Sequence, residues 1–271
     1  METIILGDVE ITRVTEHDTA PMPRELIFPD TPGSEFRKFY DAEHDAVLGG
    51  VQTWLVRSGG RTILVDTGIG NHKERPYMPL FAHHDTKFLE QLDPEEVDLV
   101  VHTHLHGDHV GWNTYLHNRE WVPTFPNATH LMPRADFEFY HPDRNHNRRM
   151  QNVFEDSVLP VKNQTVLWED RYDIDGNLRL SEAPGHTPGS AILTLKSKNE
   201  TAVFVGDLLH SPLQIDEPEC CPSFDEDPAN ATKSRKATLE WCRDHTALVL
   251  PAHFPGGAVF EMGARGVQRW R

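Results

Sequence analysis

The sequence predicts an α/β fold organised as a single domain over residues 1–271. Apolar segments with strand character alternate with helical segments, and no linker divides the chain. A chain of 271 residues, 38% of them hydrophobic, can bury a sizeable core. Strands in such folds commonly end at functional residues, so a functional site is expected at the ends of the predicted strands.

Two hairpins are predicted near the N-terminus. Residues 3–14 (TIILGDVEITRV) alternate apolar and polar side chains around a Gly-Asp turn, and residues 51–68 (VQTWLVRSGGRTILVDTG) turn at two glycines. Between them, residues 17–45 contain four prolines among aromatic side chains and predict an irregular N-terminal arm or loop. A functional loop or oligomer arm and a surface strap packed on the core are equal alternatives for this segment.

The remaining elements predict alternating strands and helices. TKFLEQL has helical apolar spacing, DLVVH indicates a buried strand, and ATHLMPRADFEFYH indicates a strand followed by a helix. NLRLSEAPGHTPGSAILTLKS predicts strands broken by a Pro-Gly turn, and TAVFVGD predicts another buried strand. KSRKATLEWCRDH is typical of a helix, and ALVLPAHF predicts a last strand that ends in a loop.

Composition excludes several classes of function. A formal net charge of -16 argues against binding to nucleic acid or anionic membranes, because phosphate binding needs a Lys/Arg-rich surface. The N-terminus lacks signal-peptide features and no segment approaches 18 apolar residues, so we expect a cytoplasmic protein. The cysteines are Cys220, Cys221 and Cys242, which have no CxxC spacing, so a metal here needs histidine and carboxylate ligands.

The segment HTHLHGDHVGW (residues 102–112) concentrates metal-ligand side chains in a short space. In an extended backbone His104, His106 and Asp108 project to one side, while His109 does not. Gly107 permits a turn, and a helix starting there would bring Asp108 and His109 toward the same region around a second centre. Neutral imidazole and carboxylate suit Zn²⁺, with manganese, iron and cobalt as alternatives.

Three further histidine or aspartate residues that could bind a metal follow predicted apolar strands. They are His186 in APGHTPG, Asp207 in VFVGD and His253 in LVLPAHF. Strand ends are where α/β proteins build their sites. Taken singly, a histidine such as His186 or His253 is more often a surface residue or a hydrogen-bonded core residue than a metal ligand.

Taken in order, HTHLHGDH, PGHTPG, VGDLLH and PAHF resemble the metallo-β-lactamase-fold hydrolase superfamily across most of the chain. The resemblance implies a four-layer αββα sandwich with two metal ions at the edge between its sheets. It implies one ion bound by His104, His106 and His186, a second bound by Asp108, His109 and His253, and Asp207 bridging both. Asp66 matches a supporting acidic position near the metals, although its residue type alone favours a strand-capping turn.

Several features of this sequence differ from particular branches of the superfamily and so limit the branches that it resembles. No cysteine follows a suitable strand, unlike the commonest zinc β-lactamases, and the chain is too short and acidic for the nuclease branch. The tail after His253 lacks the helical region of glyoxalase II enzymes. The chain therefore looks most similar to the acyl-homoserine lactonase and methyl-parathion-hydrolase-like branch, with His210 where several lactonases carry a tyrosine.

This branch implies a dinuclear zinc hydrolase that cleaves a lactone or another carboxylic ester by attack of a metal-bridging hydroxide. Asp108 is the candidate for carrying a proton to the leaving oxygen, and His210 for orienting the carbonyl. Trp112, Phe139 and Phe254 are candidate pocket residues, although core packing is the alternative for each. The expected partner is a small ester or lactone, and a homodimer through the N-terminal arm is a further prediction.

Three alternatives remain open at this point. A phosphotriester hydrolase of the same branch would use the same ligands. A mononuclear-iron oxidoreductase of the persulfide dioxygenase type would need only the first three histidines, and Asp108, His109 and His253 argue against it. A structural zinc in a binding module usually has about four ligands, often including cysteine, and seven candidates exceed that.

Overall fold

The computed structural model describes residues 3–144 and 148–270. Within these ranges the strands, in chain order, are β1 (Thr3–Leu6), β2 (Val9–Pro23), β3 (Tyr40–Asp41), β4 (Ala46–Ser58), β5 (Arg61–Val65), β6 (Leu99–Val101), β7 (Thr114–His117), β8 (Glu120–Pro123), β9 (Thr129–Pro133), β10 (Thr165–Trp168), β11 (Arg171–Asp173), β12 (Leu178–Glu182), β13 (Ala191–Ser197), β14 (Glu200–Gly206), β15 (Leu248–Pro251), β16 (Phe260–Gly263) and β17 (Gly266–Trp270).

The α-helices of the described ranges are α1 (Arg24–Ile27), α2 (Gly107–Val110), α3 (Arg134–Tyr140), α4 (Arg148–Val153), α5 (Leu213–Asp216) and α6 (Pro228–His245). A π-helical turn (Phe154–Val158) continues α4. The strand-helix pair of β9 and α3 and the long helix α6 confirm the sequence predictions for those segments. No helix in the described ranges is long and apolar enough to cross a bilayer.

The strands form two large sheets and one small one. The first sheet has the order β1-β2-β4-β5-β6-β9-β10, with β3 also pairing with β4; the second has the order β11-β12-β13-β14-β15-β16-β17; β7 and β8 pair separately. The predicted hairpins β1-β2 and β4-β5 are confirmed, with antiparallel registers around their Gly-containing turns. In contrast, β5, β6 and β9 are parallel to one another, as are β14 and β15.

Side-chain alternation divides the two sheets into four layers. On β9, Leu131 faces the core between the sheets, while Met132 faces the cluster that contains residues of α3 and α4. On β14, Phe204 faces the core between the sheets, whereas Val203 and Val205 pack toward α6. Helices therefore cover the outer face of each sheet, and the predicted αββα sandwich is confirmed.

The N-terminal arm differs from its prediction. Residues 17–23 were expected to be irregular, but they continue β2 and pair with the first half of β4. Among the described residues, pairing between β1 and β2 ends at Thr12, so this part of β2 has one free edge, where Pro21 and Pro23 can lack an N–H without losing a ladder hydrogen bond. Only the later part of the arm is mostly turns, and the homodimer through it stays a prediction, as does the single-domain organisation.

Two other expectations are corrected. TKFLEQL forms only a 3₁₀ helix at Phe88–Gln91 rather than a longer helix. ALVLPAHF contains β15, but β15 is not the last strand, because β16 and β17 form an antiparallel hairpin after His253. That hairpin extends the second sheet beyond β15, and Phe260 and Met262 of β16 pack in the α6 cluster.

Candidate metal centre

The predicted ligand residues meet at one end of the two sheets. The segment 102–109 follows β6, and Asp207 and His253 follow the parallel strands β14 and β15. His186 lies in the turn between β12 and β13. Gly206 allows β14 to approach β6 closely, because its φ is +49° and a Cβ there would lie 2.6 Å from Thr103 Oγ1.

The side chains of His104, His106 and His186 converge on one point. His106 Nδ1 lies 3.1 Å from His104 Nε2 and 3.0 Å from His186 Nε2. Asp207 Oδ2 lies 3.2 Å from His186 Nε2 and 3.6 Å from His104 Nε2. These four residues form the first cluster, and one ligand atom from each lies within 4.8 Å of the others.

Asp108, His109 and His253 form the second cluster. Nε2 of His109 lies 3.1 Å from Nε2 of His253. Asp108 Oδ2 lies 3.5 Å from His253 Nε2 and 3.9 Å from His109 Nε2. Asp207 Oδ1 lies 2.9 Å from both histidine nitrogens, so its two carboxylate oxygens face different clusters.

Every histidine of the two clusters has a fixed partner for the ring nitrogen that faces away from its cluster. The pairs are His104 Nδ1 with Thr103 Oγ1 (3.1 Å), His106 Nε2 with Tyr140 Oη (3.2 Å), His109 Nδ1 with Asp66 Oδ2 (2.9 Å), His186 Nδ1 with Asp225 Oδ1 (2.9 Å) and His253 Nδ1 with the Gly50 carbonyl (2.9 Å). The Thr103 and Tyr140 hydroxyls donate to Asp66 and Glu226, so their oxygens accept from histidine.

In the neutral form of each histidine, these partners leave the inner nitrogen as a lone pair. Such lone pairs lie only 3.0–3.1 Å apart and repel one another unless a proton or a metal ion lies between them. A tetrahedral zinc ion with Zn–N bonds of about 2.0–2.1 Å would place its nitrogen ligands about 3.3 Å apart, close to the observed spacing. The donor set and geometry of both clusters therefore fit divalent metal ions.

Burial and neighbouring charges set the pKa values of the histidines in the two clusters. Burial lowers the pKa of His104 and His106 well below the ordinary value. Burial also opposes charge on His186, but hydrogen bonds to Asp207 and Asp225 outweigh it and raise the pKa of His186 to about 9. Protons therefore occupy part of the site that a metal ion would take, and metal binding should release them.

Asp66 lies one hydrogen bond outside the second cluster. Its Oδ2 accepts from His109, and its Oδ1 accepts from the Thr103 backbone N–H at 2.8 Å. The residue follows β5 and has a φ of +60°, a strained conformation for a non-glycine residue. These contacts join the end of β5 to the segment after β6 and also orient His109, a candidate ligand. Asp66 therefore both supports the second cluster and caps the end of a strand.

His210 and Phe224 border the first cluster. His210 is buried, and its Nε2 lies 3.1 Å from Asp207 Oδ2. Among the described residues its Nδ1 has no hydrogen-bond partner. The exposed Phe224 places its ring centroid 5.1 Å from His210 and 5.8 Å from His186. An apolar side chain thus stands beside the clusters at the protein surface.

The aromatic residues expected to line a pocket are placed elsewhere. Trp112 is buried and stacks on Phe88, with ring centroids 5.4 Å apart. Phe254 is fully buried and stacks on Phe260. Phe139 is exposed on α3 and contacts neither cluster in the described interactions. Trp112 and Phe254 therefore pack in the core. The apolar side chain that lies beside the clusters is that of Phe224.

Sequence reasoning missed the residues that hydrogen-bond to the outward ring nitrogens of His106 and His186, together with Glu226, which accepts from one of them. Tyr140 ends α3, and Asp225 and Glu226 precede α6, far along the chain from the histidines they serve. An acidic run before a helix signals an N-cap, and Asp227 does cap α6 by accepting from the Asn230 N–H. The sequence carries no signal that the Asp225 carboxylate contacts His186 and the Glu226 carboxylate contacts Tyr140.

Comparisons with known proteins agree with this architecture. The sequence matches the model of the metallo-beta-lactamase superfamily over residues 46–265. It is 28% identical over 167 residues to the N-acyl homoserine lactonase AttM of Rhizobium radiobacter, covering 60% of this chain and 60% of that protein. The chain thus spans about 60% of the length of this curated relative.

Two solved structures share the fold over nearly the whole chain. A probable metal-dependent hydrolase from Staphylococcus aureus superposes with a TM-score of 0.84 at 18% identity, covering 98% of each chain. AidC, a dizinc quorum-quenching lactonase, superposes with a TM-score of 0.79 at 23% identity, covering 100% of this chain and 96% of its own.

The protein combines an αββα sandwich with two histidine–carboxylate clusters that share Asp207 at one end of its sheets. This combination is typical of proteins that bind metal ions at the edge of a layered sheet. The match over residues 46–265 makes the assignment specific: the chain belongs to the metallo-beta-lactamase superfamily.

Proposed function

We propose that the protein is a dinuclear-metal hydrolase that opens a lactone or cleaves another carboxylic ester, with N-acyl homoserine lactones as the first substrates to test. The observation that carries the proposal is the carboxylate of Asp207, whose two oxygens face two separate ligand clusters. AttM and AidC, both lactonases by name, support the choice of substrate class.

In this proposal His104, His106 and His186 hold one divalent ion, and Asp108, His109 and His253 hold the other. Asp207, with one carboxylate oxygen facing each cluster, would contribute to both sites. Zinc is the first choice, because it suits donor sets of histidine nitrogens and carboxylate oxygens at this spacing. Manganese, iron or cobalt would fit the same donors. When bound, the ions polarise the substrate carbonyl and lower the pKa of water toward about 7.

The chain itself supplies orientation and proton transfer. Five neutral imidazoles and two carboxylates leave two divalent ions incompletely neutralised, so the site favours an anionic transition state. Asp108 is almost fully buried beside the second cluster, and its carboxylate is our candidate for accepting a proton from the attacking water and passing it to the leaving oxygen. His210 is our candidate for hydrogen bonding to the carbonyl through its Nε2–H, which in this structure faces Asp207 Oδ2 at 3.1 Å.

The mouth of the site favours an apolar substituent on the substrate. Phe224 is exposed beside His186 and His210. The segment that carries it is fixed to α1, because the Ser223 N–H donates to the Ile27 carbonyl at 2.7 Å. Leu26, also exposed, lies next to this junction. We assign these two side chains to contact with an acyl group.

The test is to compare hydrolysis of N-hexanoyl homoserine lactone, a simple aryl ester and a phosphotriester by the metal-loaded protein. We expect the lactone or the ester to be preferred, and both activities to vanish with chelator and return with zinc. A matched variant, Phe224→Ala, should raise KM for the hexanoyl lactone more than for an ester with a short acyl group. Preference for the phosphotriester, or hydrolysis that survives metal removal, would contradict the proposal.

A further inference from the structure

His106 differs from the other four histidines of the two clusters. The others direct Nε2 toward their cluster, whereas His106 directs Nδ1 inward and Nε2 outward. Neutral imidazole carries its hydrogen on only one nitrogen, and Nε2 is the preferred position in many environments but not an obligatory one. Metal binding at Nδ1 requires the hydrogen to be on Nε2, so the outward contact of His106 decides whether it can act as a ligand.

The outward contact is a two-step relay through Tyr140 to Glu226. Tyr140 Oη lies 3.2 Å from His106 Nε2 and donates its hydrogen to Glu226 Oε1, also at 3.2 Å. A carboxylate only accepts, and a phenol has one hydrogen to donate. Tyr140 must therefore accept from His106 Nε2–H, which leaves the His106 Nδ1 lone pair facing the first cluster.

Both members of the relay are fixed in place. Tyr140 is almost fully buried, and its ring packs in the apolar cluster that contains Met150 and Phe154. The Glu226 backbone N–H donates to the His186 carbonyl at 3.1 Å, so the main chain that carries the carboxylate is held against the loop of another candidate ligand. The relay thus joins two histidines of the first cluster through residues that touch no reacting atom.

We propose that Tyr140, oriented by Glu226, is a positioning residue that keeps hydrogen on His106 Nε2 and so sets the affinity of the first cluster for a divalent metal ion. This inference rests on the metal centre proposed above. Outer hydrogen-bond partners of metal-binding histidines fix ring orientation and tautomer, and their removal typically weakens metal binding by about 10–100-fold.

Tyr140→Phe is the most direct variant, because it keeps the packed ring and removes only the hydroxyl oxygen. His106 Nε2–H then loses its acceptor in a nearly dry environment, and moving the hydrogen to Nδ1 would block the inward lone pair. Glu226→Ala removes the acceptor of the Tyr140 hydrogen and leaves the hydroxyl free to rotate. Tyr172→Phe is the matched control, since Tyr172 is partly buried against the core between the sheets.

The experiment titrates the chelator-stripped full-length protein with Co²⁺ and follows the visible absorption spectrum, with a chelator competition to give both dissociation constants. We expect two cobalt ions in the unmodified protein and in Tyr172→Phe. In Tyr140→Phe we expect one site to weaken by about 10–100-fold with an altered spectrum, and in Glu226→Ala a smaller weakening. The double variant should resemble Tyr140→Phe, because both changes break one relay.

The outcomes separate this inference from the metal-centre proposal. Failure of the unmodified protein to bind cobalt contradicts the metal centre itself. Two cobalt ions with unchanged affinity and spectrum in Tyr140→Phe overturn the positioning role alone. Because Glu226 is exposed, Glu226→Ala should fold normally even if Tyr140→Phe does not, and unchanged cobalt affinity in Glu226→Ala with wild-type spectrum would then overturn the relay.

Discussion

Replacing Glu16 by Gln tests the balance between burial and hydrogen bonding behind the second cluster. Glu16 is buried on β2, and its carboxylate accepts from the N–H groups of Ile69 at 2.6 Å and Gly70 at 3.0 Å and from Trp112 Nε1 at 2.7 Å. Burial raises the pKa of Glu16 and outweighs these three hydrogen bonds, bringing the pKa to about 7 from an ordinary 4.5.

The sign of the effect follows from this shift. A folded-state pKa above the unfolded value means that protonated Glu16 favours the folded protein below about pH 4.5, and that this contribution is lost as the pH rises through about 7. Between pH 5 and pH 8 the loss amounts to about 2–3 kcal/mol of unfolding free energy. Glu16→Gln is neutral throughout, so it should lack this loss.

The assay is urea unfolding of both proteins in chelator at pH 5, 6, 7 and 8. Other titrating groups are shared, so they cancel when the two unfolding free energies are subtracted. We expect the difference to move by about 2–3 kcal/mol in favour of Glu16→Gln across this range. A difference that stays constant with pH would show that the three hydrogen bonds, rather than burial, control the pKa of Glu16.

Three further predictions concern the clusters and their supports. Asp207→Ala should lose metal and lower hydrolysis by about 100-fold or more, and normal metal content by elemental analysis would contradict its bridging position. Asp225→Asn should weaken metal binding by about 10–100-fold in chelator competition, because His186 loses a charged acceptor; unchanged affinity would refute that link. Gly50→Ala should cost about 1–3 kcal/mol in urea unfolding, since its Cβ would lie 2.9 Å from a backbone oxygen of β2, whereas Gly176→Ala, with open space around it, should cost far less.

The convergence of the candidate ligands was predictable because most of the sequence signal is local. Four of the seven candidate ligands lie between His104 and His109, and the other three each follow an apolar strand or precede one at a turn. Strand ends on one edge of a layered fold bring such residues together without further information. The same reasoning predicted most strands, since alternating and continuous apolar patterns depend only on neighbouring residues.

The residues that support the histidines were not predictable, because they contact residues far away in the sequence. Tyr140 lies 34 positions from His106, and Glu226 lies 86 positions from Tyr140, so their contacts depend on how α3 and the start of α6 pack. The extent of β2 was misjudged because prolines argue against a central strand, and only the register, in which the described pairing with β1 ends at Thr12, shows that this part of β2 is an edge. The core positions of Trp112 and Phe254 likewise depend on packing that residue type does not specify.

The most direct test of the central claim is the metal content per chain, measured by elemental analysis on the protein whose hydrolysis of an acyl-homoserine lactone is assayed in parallel. The shared position of Asp207 between two clusters predicts about two divalent ions per chain, zinc foremost, together with ester or lactone hydrolysis. About one iron per chain with no hydrolysis would contradict the dinuclear hydrolase.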